Sequence, residues 1–475
     1  MNSRPNATPL SQLPGKGPAR RTSCRLLLWA AACIVIALVT GGAYAFLHPD
    51  RVPERIGLLV ENLTGANPHP VHLRRPRDVP LSALALLGKQ VFYDTSLSAS
   101  GRQSCASCHS PDHAYGPANA QPVQFGGPRL TDPGFRPPPS LAYLYRQAAF
   151  SIGPDAAENE VPPDLAALAS QAQGVARAQK SAAVAPATPA MVPQGGMFWD
   201  GRADTLQAQA ISPLLNPVEM ANASPAEVAH KLLNAPYLDQ FKALFGDHIV
   251  DNPDLLVDEA MSAVGRYQIE DPSFHAFSSK YDAWLEGHAR LTQAELRGMR
   301  LFNDPNKANC AGCHVSQPTK DNLPPLFTDT QYEALGVPRN REIPANKDPK
   351  FYDLGICGPF RRDLAQQTQY CGMFLTPTLR NAATRHVFFH NGVYHTLKEV
   401  MDFYNLRNTS PQKIYPRDAS GKVAQFNDIP AQYRKNVDFQ DAPFDRKPGD
   451  PPAMSDQDIE DIIAFMNTLN DGYVR

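Results

Sequence analysis

Apolar positions along most of this chain recur three or four residues apart, the period of an α-helix, and seldom alternate as a strand would. The first apolar stretch, residues 26–47, carries no charge over 22 residues and follows Lys16, Arg20, Arg21 and Arg25. As a helix it would span about 33 Å, enough to cross a bilayer, with the basic flank cytoplasmic and the remainder exported. Ala43-Tyr44-Ala45 resembles a cleavage site, so a removed signal peptide is the alternative; the length of the run favours an uncleaved anchor in the inner membrane. Residues 1–25 are polar and read as a disordered cytoplasmic tail, and residues 48–79 as a linker. Residues 81–92 then predict a helix with Leu84, Leu87, Gly88 and Val91 on one face. Thr292-Gln-Ala-Glu295 is a capping box before a second such helix carrying Leu296, Met299 and Phe302. Gly88-x-x-Val91-Phe92 and Gly298-x-x-Leu301-Phe302 match in register, an internal repeat that predicts two related domains, 80–285 and 286–475. Each should close with a helix: residues 254–267 in the first, and in the second a helix capped by Ser455 and Asp458 with Ile459, Ile462, Ile463, Met466 and Leu469 inward. Residues 281–291 read as the link between them. Residues 155–196, rich in Ala, Gln and Pro, read as an insertion in the first domain. The fold class is mainly α.

Each candidate first helix delivers the chain to the same chemistry. Cys105-Ala-Ser-Cys108-His109 and Cys310-Ala-Gly-Cys313-His314 both pair two thiols with an adjacent imidazole. That spacing suits two thioether bonds to haem vinyl groups, with the histidine as proximal iron ligand. A redox dithiol or half of a zinc site is the alternative for one such motif; two copies in an exported chain favour two covalent haems c. Net charge is −2 and the pI about 6.7, which points to neither nucleic acid nor an anionic membrane surface as partner. Proline is abundant, at 46 of 475 residues, and implies long irregular connections. Of eight cysteines, four belong to the haem motifs and Cys24 and Cys33 to the targeting segment. Cys357 and Cys371 remain, and in an oxidising compartment a disulfide between them is expected, worth about 3 kcal/mol by loop entropy; two free thiols are the alternative.

Further pieces make the resemblance specific. Phe198 to Arg202, Gln209-Ala210, Pro213, Asn216-Pro217-x-Glu219-Met220, Thr376-Pro377-Thr378-Leu379-Arg380-Asn381 and His390-Asn391-Gly392 occur in order with the two haem motifs. Over roughly residues 78–475 the chain resembles the bacterial di-haem cytochrome c peroxidase family, MauG included. The resemblance implies two cytochrome c-like helical domains. It also implies a peroxidatic N-terminal haem at His109 and an electron-transfer C-terminal haem at His314. It places Glu219 as the distal acid–base group, where moving a proton between peroxide oxygens is worth about 10²–10⁴ in rate. Gln209 stands as a second distal polar group, Pro213 as a residue shaping that pocket, and Trp199 as the bridge between haems. Counting from His390, the family's ligand position for the second iron falls on Tyr404, with Met401 one turn earlier as the alternative. A tyrosine there shifts the expectation from a plain peroxidase toward MauG-like high-valent iron.

Two departures matter. The family's Gly-Gly loop often carries a distal histidine, but here it reads Phe125-Gly126-Gly127-Pro128-Arg129, which implies a first haem open to peroxide without prior reduction. The family also binds calcium through an Asn in an Arg-Asn-x-Pro segment; Arg136-Pro137-Pro138-Pro139 lacks that ligand and puts calcium in question. His113, His386 and His395 read as loop or packing residues. The expected function is periplasmic reduction of hydrogen peroxide with electrons from a small cytochrome c or cupredoxin. The alternatives are oxidation of a protein side chain, as MauG performs, and a non-catalytic di-haem electron carrier.

Overall fold

The computed structural model describes residues 54–154 and 191–474. The tail 1–25, the apolar run 26–47 and most of the expected insertion 155–196 lie outside the described residues. The first half contains α1 (Glu54–Thr64), α2 (Ala83–Tyr93), the single turn α3 (Cys105–Cys108), α4 (Leu206–Leu215), α5 (Pro225–Leu233), α6 (Leu238–Phe245) and α7 (Pro253–Glu270). The second contains α8 (Lys280–Leu285), α9 (Gln293–Asn303), the turn α10 (Cys310–Cys313), α11 (Leu397–Leu406) and α12 (Asp456–Asn467). Strands are confined, among the described residues, to three antiparallel pairs: β1 (Phe125–Gly126) with β2 (Asp132–Pro133), β3 (Ser151–Pro154) with β4 (Met191–Gln194), and β5 (Tyr332–Glu333) with β6 (Phe374–Leu375). The molecule is mainly helical, with 3-10 turns and loops between helices.

The repeat seen in the sequence is a repeated helix crossing. Ser82 caps α2 by accepting from the Ala85 amide, and the helix buries Leu87, Val91 and Phe92 against Leu256, Ala260 and Val264 of α7. Gly88 sits at the crossing: a Cβ there would lie 1.8 Å from the Ala263 carbonyl oxygen. In the second half, α9 begins at the expected Thr292–Glu295 capping box and α12 at the Ser455–Asp458 one. Leu296 and Phe302 pack on Ile459, Ile462 and Phe465, and a Cβ at Gly298 would lie 1.9 Å from the Asp461 carbonyl oxygen. Only glycine lets backbones approach this closely.

Three boundaries differ from expectation. Residues 281–291 are no link: Tyr281, Trp284, Leu285 and Leu291 are buried in the second core. Residues 48–79 are more than a linker, because 54–64 form α1 and Leu73 is buried in that same core. The Val71 amide donates to the Leu285 carbonyl at 2.9 Å, tying the segment to α8. The first closing helix starts one residue earlier than 254 and continues to Glu270, with Asn252 capping it and Pro253 at its first position. Cys357 and Cys371 are disulfide-bonded, as expected. The halves are joined by buried polar contacts: Tyr143 donates to Asp471 at 2.5 Å, and Arg361 donates to the Asp200 and Gly201 carbonyls at 3.1 and 2.9 Å.

Candidate active site

Both CxxCH motifs form one helical turn ending at the histidine, whose amide bonds back to the first cysteine carbonyl: His109 to Cys105 at 3.0 Å and His314 to Cys310 at 2.8 Å. His109 Nδ1 lies 3.0 Å from the Tyr115 carbonyl oxygen, and His314 Nδ1 lies 2.9 Å from that of Phe327. A carbonyl only accepts, so Nδ1 carries the hydrogen and Nε2 is left free for a metal. Burial pulls both imidazoles down to about 4, so they are neutral. Burial pushes the thiols the other way, Cys105 and Cys310 to about 12 and Cys108 to about 11. A redox dithiol needs a depressed thiol pKa, and neither motif holds a disulfide. Among the described residues no group of three or more His, Cys, Asp or Glu side chains is placed to hold a metal ion. Paired uncharged thiols beside a neutral imidazole, at the wall of a large cavity, fit covalent haem.

The first cavity encloses about 910 Å³ including its mouth, and a deeper lobe of about 490 Å³ shares His109, Cys108, Gln209, Pro213 and Glu219 with it. Among the described residues no second imidazole lines either. Glu219 lies in the turn after α4, with its amide on the Asn216 carbonyl at 3.0 Å and its Oε1 accepting from Asn216 Nδ2 at 2.6 Å. Burial raises its carboxyl pKa, opposed by the Arg202 charge and the Asn216 hydrogen bond. The Gly-Gly loop supports this turn from behind. The Gly127 amide donates to the Glu219 carbonyl at 2.8 Å, and a Cβ on Gly126 would lie 2.3 Å from the Val218 carbonyl oxygen. Gln209 is buried on α4, and Pro213 four residues later has no N–H to bond its carbonyl.

The second cavity, about 1450 Å³ including its mouth, is lined by Cys310, Cys313 and His314 and by both ligand candidates, Tyr404 and Met401. The Thr396–Glu399 capping box starts α11 and sets its rotation. Tyr404 stacks on Phe444 at 5.4 Å between ring centres, and burial raises its phenol pKa. Met401 is only 5% exposed and packs in the second core. Trp199 lines both cavities, with its indole N–H donated to the Pro137 carbonyl at 3.0 Å.

Some residues around the site carry roles that the sequence did not assign. Arg136 donates to Asp200 at 2.8 Å and to both oxygens of Asp353 at 2.6 and 2.7 Å, a buried charge network between the cavities; Arg202 also binds Asp200. His390, assigned no role from the sequence, lines the second cavity, stacks on Phe374 at 3.5 Å and is held neutral by burial. Its signal was the His-Asn-Gly stretch itself. In the segment Arg136-Pro137-Pro138-Pro139 the position of the family's calcium-ligating Asn is Pro137, which has no side-chain ligand atom, and its carbonyl accepts from Trp199. That donor set does not fit calcium.

Comparison with known proteins agrees with this architecture. The family described as "Di-haem cytochrome c peroxidase" matches residues 82–290. The methylamine utilization protein MauG of Paracoccus denitrificans is 31% identical over 409 residues, covering 84% of this chain and 90% of that protein. The cytochrome c551 peroxidase of Nitrosomonas europaea is 27% identical, covering 72% of this chain and 78% of the relative. The crystal structure of the di-haem peroxidase BthA from Burkholderia thailandensis superposes with a TM-score of 0.70 at 36% identity, over 85% of this chain and 89% of that one. With two haem-motif cavities bridged by one indole, and with these relatives across most of its length, the chain belongs to the di-haem cytochrome c peroxidase and MauG family.

Proposed function

We propose that the chain is a di-haem c-type peroxidase that reduces hydrogen peroxide to water, H2O2 + 2 H⁺ + 2 e⁻ → 2 H2O. The electrons would come from a small periplasmic cytochrome c or cupredoxin. The observation that carries this reading is a single cavity holding His109, its paired thiols, Glu219 and Gln209, with no second imidazole among the described lining residues. Covalently bound haem supplies an iron that takes up and cleaves peroxide at the first site and stores electrons at the second. Cys105, Cys108 and His109 hold the first haem, and Cys310, Cys313 and His314 the second. Each histidine presents Nε2, its tautomer fixed by a backbone carbonyl. Glu219, a carboxyl whose Oε1 is engaged by Asn216, moves a proton from one peroxide oxygen to the other. Gln209 offers its amide as a hydrogen-bond partner in the same space. Trp199 would bridge the two sites, and Tyr404 would hold the second haem's iron, with Met401 as the alternative.

The peroxidatic half is taken as ending just before α8, earlier than the boundary at 285, and the electron-transfer half as beginning with α8, which packs in the second core. The setting is periplasmic, reached through residues 26–47 as an inner-membrane anchor or a cleaved signal. Peroxide added to the diferric protein with a reduced small cytochrome should give steady turnover and a high-spin EPR signal at rest. Inertness with both irons six-coordinate would end the reading. Oxidation of a protein side chain is the second reading, favoured by the 31% identity to MauG and by Tyr404 in the cavity wall. It would show as peroxide consumed without a donor while a partner protein changes mass. A variant of BthA with a tyrosine-to-methionine substitution has been crystallised, which makes that residue type worth the same test here.

A further inference from the structure

α1 is amphipathic in the reverse sense. Its inward face is glycine and charge: Gly57 is buried, with a Cβ there 3.0 Å from His69 Nε2, and Glu61 is 6% exposed and paired with Arg300 at 3.1 Å. Its outward face is apolar: Ile56, Leu59, Val60 and Leu63, at helical spacing, are 51%, 57%, 38% and 75% exposed. The helix is nonetheless fixed to the second half. Gln293 donates to the Asn62 carbonyl at 2.7 Å, Trp284 Nε1 to the Gly65 carbonyl at 3.0 Å, and the Leu291 amide to the same oxygen at 2.9 Å. A helix held by its polar side with five large aliphatic side chains exposed, Leu58 the fifth, is built to meet an apolar partner.

The chain itself indicates which partner. Residues 26–47 form the charge-free apolar run, and only residues 48–53 separate it from α1. Six extended residues reach about 20 Å. With the run in the bilayer, α1 is held within about 20 Å of the membrane, in reach of the layer where amphipathic helices bury their apolar faces by about 5–10 Å. We propose that the Ile56, Leu59, Val60 and Leu63 face of α1 lies in the interfacial layer of the membrane and seats the second half of the molecule on it. This rests on the anchor reading of residues 26–47, and the test separates the two.

Full-length holoprotein in vesicles of phosphatidylethanolamine and phosphatidylglycerol would be irradiated with a lipid-soluble carbene reagent and its peptides analysed by mass spectrometry. Label should appear in 26–47 and in 54–64. In the Ile56→Ser/Leu59→Ser/Leu63→Ser variant, label in 54–64 should fall about tenfold while haem content and labelling of 26–47 stay unchanged. Label in 26–47 without label in 54–64 would overturn the proposal and leave the anchor standing. Protection of 54–64 from both the lipid reagent and an aqueous one would assign the face to a protein partner such as a second copy, and would also overturn it. A mature N-terminus at Phe46 with 54–64 still labelled would remove the anchor yet support the surface; the same N-terminus with 54–64 unlabelled would remove both.

Discussion

Glu219 is a carboxyl that burial makes reluctant to ionise, with Arg202 and Asn216 opposing the shift. A base works deprotonated, so its contribution disappears as pH falls through a pKa raised above the ordinary glutamate value of about 4.3. Peroxide turnover should therefore carry an acid limb above that value. Glu219→Gln should abolish the limb and lower kcat/KM by about 10²–10⁴ while haem absorbance is unchanged. A different buried carboxylate serves stability. Asp282 takes both arms of Arg380 at 2.7 and 2.8 Å; burial alone would raise its pKa, but the guanidinium holds it below the usual range. Arg380→Leu would leave that charge unpaired and cost about 3–5 kcal/mol by denaturant midpoint. Because the folded pKa is depressed, the contribution is present above pH about 4 and lost below it, so the gap between the variants should narrow in acid. That Glu219, Gln209 and Trp199 share one cavity wall follows stretches with a distinctive order of residue types. The pairing of Arg136 with Asp353 was not legible, since an ion pair between positions 136 and 353 leaves no mark on local pattern.

Helix starts were the most readable elements. The expected capping boxes at Thr292 and Ser455 both form, because Ser or Thr with an acidic residue three positions on satisfies amides that the helix cannot. α1 was passed over although its apolar positions recur at helical spacing, because it lies inside a stretch read as one linker, and α8 because a six-residue helix shows too little period. On α11 the two ligand candidates separate by spectroscopy. Tyr404→Phe should change the absorption and EPR of the second haem, and Met401→Leu should not. A methionine-to-iron charge-transfer band in the unmodified protein would reverse that assignment. At the crossing of α9 and α12, Gly298→Ala places a methyl against the Asp461 carbonyl. Overpacking of this kind costs about 1–3 kcal/mol, and the thermal midpoint should drop by several degrees.

Across the whole molecule, two halves with the same helix crossing each carry one cavity, and the duplication was visible in the glycine register before any coordinates. How the halves face each other was not, since it depends on contacts such as Tyr143 with Asp471 that span most of the chain. Among the described residues lining the cavities, Trp199 is common to the first and second. Trp199→Phe should slow transfer between the haems while both stay bound, measured by stopped-flow absorbance. Its hydrogen bond has a further consequence. The acceptor is the carbonyl of Pro137, an amide oxygen far too weak a base to take the indole proton. On the proposed route, an electron vacancy crossing this ring cannot discard its hydrogen and must travel as bare charge, so replacing water with D2O should leave the crossing rate untouched.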